Sequence, residues 1–140
     1  MNTNKILLGG IAGGVTFLLL KWVVYGVLLF NYITTNQNPC AMIPMKDFIW
    51  WAMILCSLAY GFLLSMVFDW SKTTGILAGA KVAGIIGLLF SASYDLGSFA
   101  TSSKFSNLTS VFVAIIAYTV MSAICGVVIA WVMGKVKNKS

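Results

Sequence analysis

The sequence predicts an all-α membrane protein with four transmembrane helices in an up-down-up-down bundle, and three observations support this. Of the 140 residues, 60% are hydrophobic and 9% are charged, whereas soluble domains contain roughly 45–50% and ~25%. The apolar residues fall into four runs long enough to cross a bilayer. The lysines gather mainly at the ends of these runs, as topology signals do. We therefore expect a single transmembrane domain over residues 1–140.

The four runs are about 20 residues long or longer. A bilayer core of roughly 30 Å requires this length, because backbone groups in lipid must bond within the segment. We predict spans at 6–30, 48–68, 75–93 and 108–133. The start of the chain, MNTNK followed by an apolar run, is also typical of a signal peptide. However, no A-x-A-like cleavage site follows, and the run continues through Lys21 to Phe30, which favours a retained helix.

Lysine positions predict the orientation of the spans, because cytoplasmic segments carry the excess of positive residues. One side of the membrane receives Lys5, Lys72, Lys135, Lys137 and Lys139, and the other receives Lys46 and Lys104. Both termini are therefore expected in the cytoplasm. Trp50 and Trp51 then lie at the outer interface, where amphipathic rings concentrate. This arrangement predicts a multi-pass protein of a cell inner membrane, of bacterial origin.

Small residues recur every four positions in each predicted span, and such residues let membrane helices approach closely. The glycines that we expect at helix contacts are Gly10, Gly14, Gly61, Gly79, Gly84 and Gly126. These rows of small residues either hold the four helices to one another or include one row that faces outward to pair with a second copy or another subunit. The sequence favours the first alternative and leaves the second open.

An internal repeat is suggested by the similarity of the two halves. Residues 6–20 align with 76–90 at an offset of 70 and match at six positions, including Gly14 with Gly84. Spans one and three run in the same direction, so a real duplication would relate two hairpins about an axis along the membrane normal. Glycine-rich apolar helices also resemble one another by composition alone, which is the alternative explanation.

Two lysines lie inside the apolar runs, and their positions differ. Lys81 is six residues into the third span, and its side chain tilts toward the cytoplasmic end, so it can reach water. Lys21 is roughly 22 Å into the first span, in the outer half of the membrane, and its side chain tilts back toward the membrane centre. A lysine deep in a span costs roughly 2.5–3.5 kcal/mol on insertion scales, so Lys21 should face a partner or a cavity.

Asp95 is the partner that the sequence favours for Lys21. It follows the third span, with a side chain that tilts inward, and the two backbones are expected about 8 Å apart along the membrane normal. We therefore predict an intramembrane polar site formed by Lys21 and Asp95. The alternatives are a tilted first helix, backbone carbonyls freed near a glycine, or an anionic headgroup or solute that enters from outside.

Reactive groups are scarce in this chain. Its charged residues are nine lysines and three aspartates, without arginine, glutamate or histidine. The cysteines Cys40, Cys56 and Cys125 are far apart and form no CxxC pair. We therefore predict no enzyme activity, no catalytic residues, no metal site and no cofactor. The positive net charge of +6 is explained by topology signals, so no nucleic-acid partner is expected.

Three segments resemble small bacterial membrane proteins with four helices and no assigned activity: ILLGGIAGGVTFLLLKWVVYG, DFIWWAMIL and TGILAGAKVAGIIGLL. The resemblance covers nearly the whole chain and implies four helices, but no site. We expect a structural or accessory protein that contacts membrane lipids and joins a homo-oligomer or a larger membrane complex. The other candidate is a small transporter or binder of an anionic or amphiphilic ligand that uses Lys21.

Overall fold

The computed structural model describes residues 2–41 and 43–136. Helix α1 (Thr3–Val23) continues as a π-helical segment (Val24–Leu28) and is followed by the short α2 (Phe30–Asn36). Two 3₁₀ turns come next, Pro39–Ala41 and Met45–Asp47. The remaining helices are α3 (Trp50–Trp70), α4 (Ile76–Thr101) and α5 (Leu108–Lys135).

Four helical stretches are long and apolar enough to cross a membrane: Thr3–Leu28, α3, α4 and α5. This confirms the predicted all-α fold with four candidate spans. The stretch Thr3–Leu28, α3 and α5 begin and end within a few residues of the predicted positions. We call the end of the molecule that carries the connection between α2 and α3 the outer end, following the orientation that the lysines predict.

Helix α4 is longer than the predicted third span, which ended at residue 93. It continues to Thr101, so its connection to α5 covers only residues 102–107 and not the 14 or so residues expected. The polar sequence around Asp95 suggested an exposed connection. In the structure Asp95 is buried and pairs with Lys104 from that connection, so the polar residue is accommodated within the helix.

Paired glycines let α1 pack against two helices at once. A Cβ at Gly14 would lie 2.8 Å from the Leu58 backbone of α3, and one at Gly10 would overlap the Phe62 ring. The adjacent Gly13 meets Ile129 of α5, and Gly9 lies between Ser65 of α3 and Met133 of α5. The doubled pattern GG-xx-GG therefore serves two neighbours, because adjacent helical positions point about 100° apart.

The facing helices supply small residues to the same contacts. A Cβ at Gly61 would lie 2.8 Å from the Gly14 Cα, and one at Gly79 would lie 2.8 Å from the Gly126 carbonyl oxygen across the α4–α5 contact. Gly84 was expected in the same role but lies elsewhere, with its nearest neighbour, the Ala123 Cβ, at an ordinary 3.7 Å. It is one position off the buried face of α4 that Gly79 and Gly87 form.

The hairpins α1–α3 and α4–α5 join through an extensive contact between α1 and α5, whereas α3 and α4 touch at few points. Both hairpins cross at small residues, but Gly14 and Gly84, which the repeat would make equivalent, have different surroundings. The duplication therefore stays a prediction.

An aromatic layer joins the four long helices, and each helix contributes one ring: Phe17, Tyr60, Phe90 and Tyr118. Phe17 and Tyr60 are buried between the helices, whereas Phe90 is half exposed at the edge of the layer. The Phe17 centroid is 4.6 Å from that of Tyr60 and 5.2 Å from that of Tyr118. Phe90 completes the layer at 6.1 Å from both tyrosines. These separations lie within the range at which aromatic pairs attract one another.

Two buried serines of α3 should respond differently to substitution. Ser65 Oγ donates to the Ile6 carbonyl of α1 at 2.9 Å, so Ser65→Ala should lower the free energy of unfolding by about 0.6–1.7 kcal/mol. Ser57 Oγ is fully buried and lacks a hydrogen-bond partner within the described residues. Ser57→Ala should leave stability unchanged or raise it, because the hydroxyl is already desolvated. Thermal unfolding of both variants in one detergent measures the difference, and an equal loss from both would contradict the hydrogen-bond assignment.

Candidate functional site at Lys21

Lys21 is half-buried on the side of α1 that meets α3, and the Cys56 that it contacts is itself exposed. Phe17 and Tyr25, one turn to either side, both pack in the aromatic and apolar core. The Lys21 ammonium sits 4.8 Å from the centroid of the Phe17 ring and donates to the Cys56 Sγ of α3 at 3.7 Å. A cation over an aromatic face is stabilised by about 0.5–2 kcal/mol, according to how far it is desolvated.

The Lys21 side chain extends along the helix axis toward the middle of the span. Gly14 lies against Leu58 and Gly10 against Phe62, and the same antiparallel register places the Lys21 backbone opposite Trp51. The ammonium nevertheless contacts Cys56, which is five residues or ~7.5 Å deeper along α3. This is the direction in which a helical side chain tilts, toward the start of its own helix.

The predicted pair between Lys21 and Asp95 is not formed. Asp95 Oδ1 lies 3.9 Å from the Lys104 Nζ, and this is the only ion pair within residues 2–41 and 43–136. Lys104 also lies over the rings of Tyr94 and Phe105, at 5.4 and 4.8 Å from their centroids. The short connection after α4 folds back and supplies a nearer cation than Lys21. In the described part of the chain, Lys21 therefore has no carboxylate beside it.

A groove of about 460 Å³ opens beside the Lys21 ammonium. Helix α3 contributes Ala52, Met53 and Cys56 to its wall. The remaining lining residues come from the connection that precedes α3 and lie toward the outer end of the groove; we call them the roof, although Ile43 and Ile49 are about half exposed and leave the groove partly open. The roof consists of Ala41, Ile43, Phe48 and Ile49. The groove thus combines one cation with an otherwise apolar lining.

The connection that carries the roof is tied to the connection between α4 and α5. Gln37 and Phe105 form an antiparallel bridge, and the Asn38 N–H donates to the Lys104 carbonyl at 3.1 Å. The Ser106 N–H donates to the Asn36 carbonyl, also at 3.1 Å. Phe105 itself is buried against α5. These contacts hold the start of the connection between α2 and α3 against the connection between α4 and α5.

The π-helical segment Val24–Leu28 begins three residues after Lys21. Its Leu29 N–H donates to the Val24 carbonyl at 2.7 Å, five residues back. π-Helical segments are rare in proteins, and those that do occur are often found at functional sites. Here the segment ends at a bend at Leu29, which separates the span that carries Lys21 from the short α2.

A second cavity, of about 780 Å³, lies at the end opposite the outer end, between the start of α1 and the connection from α3 to α4. Lys5, Asp69 and Lys72 line it together with several threonines. Its charges are mixed, and its polar rim fits an interfacial position. Among the described residues, no group of three or more cysteine or aspartate side chains is arranged to hold a metal ion.

The sequence singled out Lys21 but not the residues that surround it. Cys56 lies within the predicted second span, 48–68, whose first two residues, Phe48 and Ile49, are roof residues; Ala41 and Ile43 fell in the connection before it. Cys56 lies one position off the row Ser57, Gly61 and Ser65, so spacing gives no sign that it faces the groove. The apolar character of Ile43, in an otherwise polar connection, was the available signal.

Comparisons of the chain with protein-family models, with curated proteins and with solved structures find no match.

Proposed function

We propose that this protein binds an anionic amphiphile of the membrane, with the negative group of the ligand at Lys21. The observation that carries the proposal is the Lys21 ammonium, which lines an apolar groove and has no carboxylate beside it in the described part of the chain. An ionisable side chain in such a position is costly to insert, and it is usually retained for a partner or a ligand.

The surroundings of Lys21 compensate its charge only in part. The Phe17 ring and the Cys56 thiol are both neutral groups, and a thiol is a weak hydrogen-bond acceptor. An ammonium has three donors, so two remain available to the oxygens of a ligand. An anionic headgroup would supply both the missing acceptors and the missing charge, and ion pairs are strengthened where water is excluded.

A structural or accessory role, with assembly into a homo-oligomer or a larger complex, is the other function that the sequence favours. The small residues that suggested assembly already pack against other helices of the same chain. This holds above all for Gly10, Gly14, Gly61 and Gly126. Assembly would therefore have to use other surfaces. Binding is also favoured over transport, because rings of the aromatic layer are buried between the helices. We place this binding function in the inner membrane of a bacterial cell.

Lys21→Met should remove the bound amphiphile without removing the fold. The purified protein, Lys21→Met and the control Lys81→Met would be titrated in uncharged detergent with anionic and zwitterionic amphiphiles of equal chain length. We expect the anionic series to lose roughly 10–100-fold in affinity in Lys21→Met, the equivalent of one charge-assisted hydrogen bond. Lys81 is exposed on α4, so its variant should bind normally. Equal binding by all three proteins would refute the proposal.

A further inference from the structure

We infer that the ligand is a long-chain carboxylate, a single acyl chain whose charged group is also its end. This inference rests on the proposed function and narrows it from anionic amphiphiles in general to one class. Three features of the groove lead to it: the depth of the ammonium, the apolar roof above it, and the single positive charge.

The ammonium lies deeper than the headgroups of ordinary membrane lipids. It contacts Cys56, which is six residues, or ~9 Å, from Trp50 at the outer start of α3. Tryptophan rings concentrate at the headgroup level, and Trp50 is half exposed there. A ligand must therefore draw its charge well below the interface to reach Lys21, and a carboxylate at the very end of an acyl chain does so without carrying further polar groups with it.

The roof lies between this charge and the outer end of the molecule. Ile43, Phe48 and Ile49 have no side-chain donor or acceptor, and the Phe48 ring is braced by the Trp50 ring at 6.0 Å. A glycerol, sugar or amine beyond the charge, as in a phospholipid, would be pressed against these apolar side chains. Burying such a polar group without hydrogen bonds costs about 1–3 kcal/mol. A terminal carboxylate carries nothing that the roof would exclude.

The charge balance favours a carboxylate over a terminal phosphate. Among the described residues, Lys21 is the only cation that lines the groove. A carboxylate carries one negative charge, whereas a terminal phosphate carries about 1.5 to 2 near neutral pH. The acyl chain would follow the side of α3 below Cys56, where Ala59 and Leu63 are exposed one and two turns deeper. Lipid is as apolar as this side of α3, so the acyl chain gains little by moving there from lipid. The charged head of the ligand therefore decides which ligand binds.

The test uses the full chain in nanodiscs of phosphatidylcholine, with labelled palmitate as the probe. Hexadecanol, 1-palmitoyl lysophosphatidylglycerol and phosphatidylglycerol compete with it. We expect palmitate to bind at least about tenfold more tightly than each competitor. Lys21→Met should abolish this preference, whereas Lys21→Arg and the control Lys81→Met should preserve it.

Phe48→Ala opens the roof and leaves Lys21 in place. We expect this variant to bind lysophosphatidylglycerol about tenfold more tightly than the unmodified protein does, with little change for palmitate. The variant keeps the inference testable if Lys21→Met fails to fold, and circular dichroism of each variant establishes folding beforehand.

The outcomes separate this inference from the proposed function. If lysophosphatidylglycerol or phosphatidylglycerol binds as tightly as palmitate, and all depend on Lys21, the carboxylate assignment is wrong and the proposed function stands. If binding of every amphiphile is independent of Lys21, both are wrong. If hexadecanol competes as well as palmitate, the charge of the ligand plays no part and both are again wrong.

Discussion

Gly61→Ala should destabilise the protein by about 1–3 kcal/mol, whereas Gly84→Ala should be tolerated. A methyl group at Gly61 would lie 2.8 Å from the Gly14 Cα and still closer to other backbone atoms of α1, so the two helices must separate. A methyl group at Gly84 meets the Ala123 Cβ at 3.7 Å, an ordinary contact. Alanine is also the better helix former by up to about 1 kcal/mol, so Gly84→Ala should be neutral or stabilising.

Thermal unfolding in a single detergent, followed by circular dichroism, measures both variants. Gly97→Ala provides the matched control, because a Cβ at Gly97 would meet nothing within 4 Å. If Gly84→Ala costs as much as Gly61→Ala, the helix faces described here are incorrect. If Gly61→Ala proves neutral, α1 and α3 do not cross at this point.

Lys104→Met should cost about 1–3 kcal/mol, because it leaves the buried Asp95 carboxylate without its cation. Asp95→Asn should cost less, since the lysine that remains is one-third exposed and can turn to water. The double variant should be less destabilised than the sum of the two single changes, as expected for residues in contact.

Unfolding free energies of the two single variants and the double variant complete this cycle. Lys46→Met, a change to an exposed lysine at the same end of the molecule, should have little effect. A second cycle joins Asp95→Asn with Lys21→Met and should be additive. Coupling in the second cycle but not in the first would restore the pair that the sequence favoured and overturn the one found in the structure.

The four spans could be predicted from the sequence because length and apolarity suffice to mark them. The inward tilt of Lys21 could also be predicted, since the tilt follows from the direction of the helix alone. The partner of Asp95 could not, because it depends on how residues 102–107 fold back, which no local pattern specifies. The polar residues near Asp95 were interpreted as the end of a span, although a cation from the same connection lets the helix continue.

The glycines likewise separate what helical spacing predicts from what it does not. A step of four along α4 leads from Gly79 through Ala83 to Gly87, and all three are buried. Gly84, which was also expected at a helix contact, is off this step and lies about 100° around the helix from Ala83. Helical spacing locates a packing face, but composition alone does not.

The contact between α1 and α5 has a consequence for biosynthesis. Each hairpin joins helices that are neighbours along the chain, so it can form as soon as its second helix enters the membrane. The aromatic layer needs Phe17 from the first helix and Tyr118 from the last, so it waits for the ribosome to finish α5. Until then the face of α1 that carries Gly13 is open to lipid or to the insertion machinery, whereas Lys21 can already contact Cys56 within the first hairpin. The four helices reach their final packing only after α5 has been made.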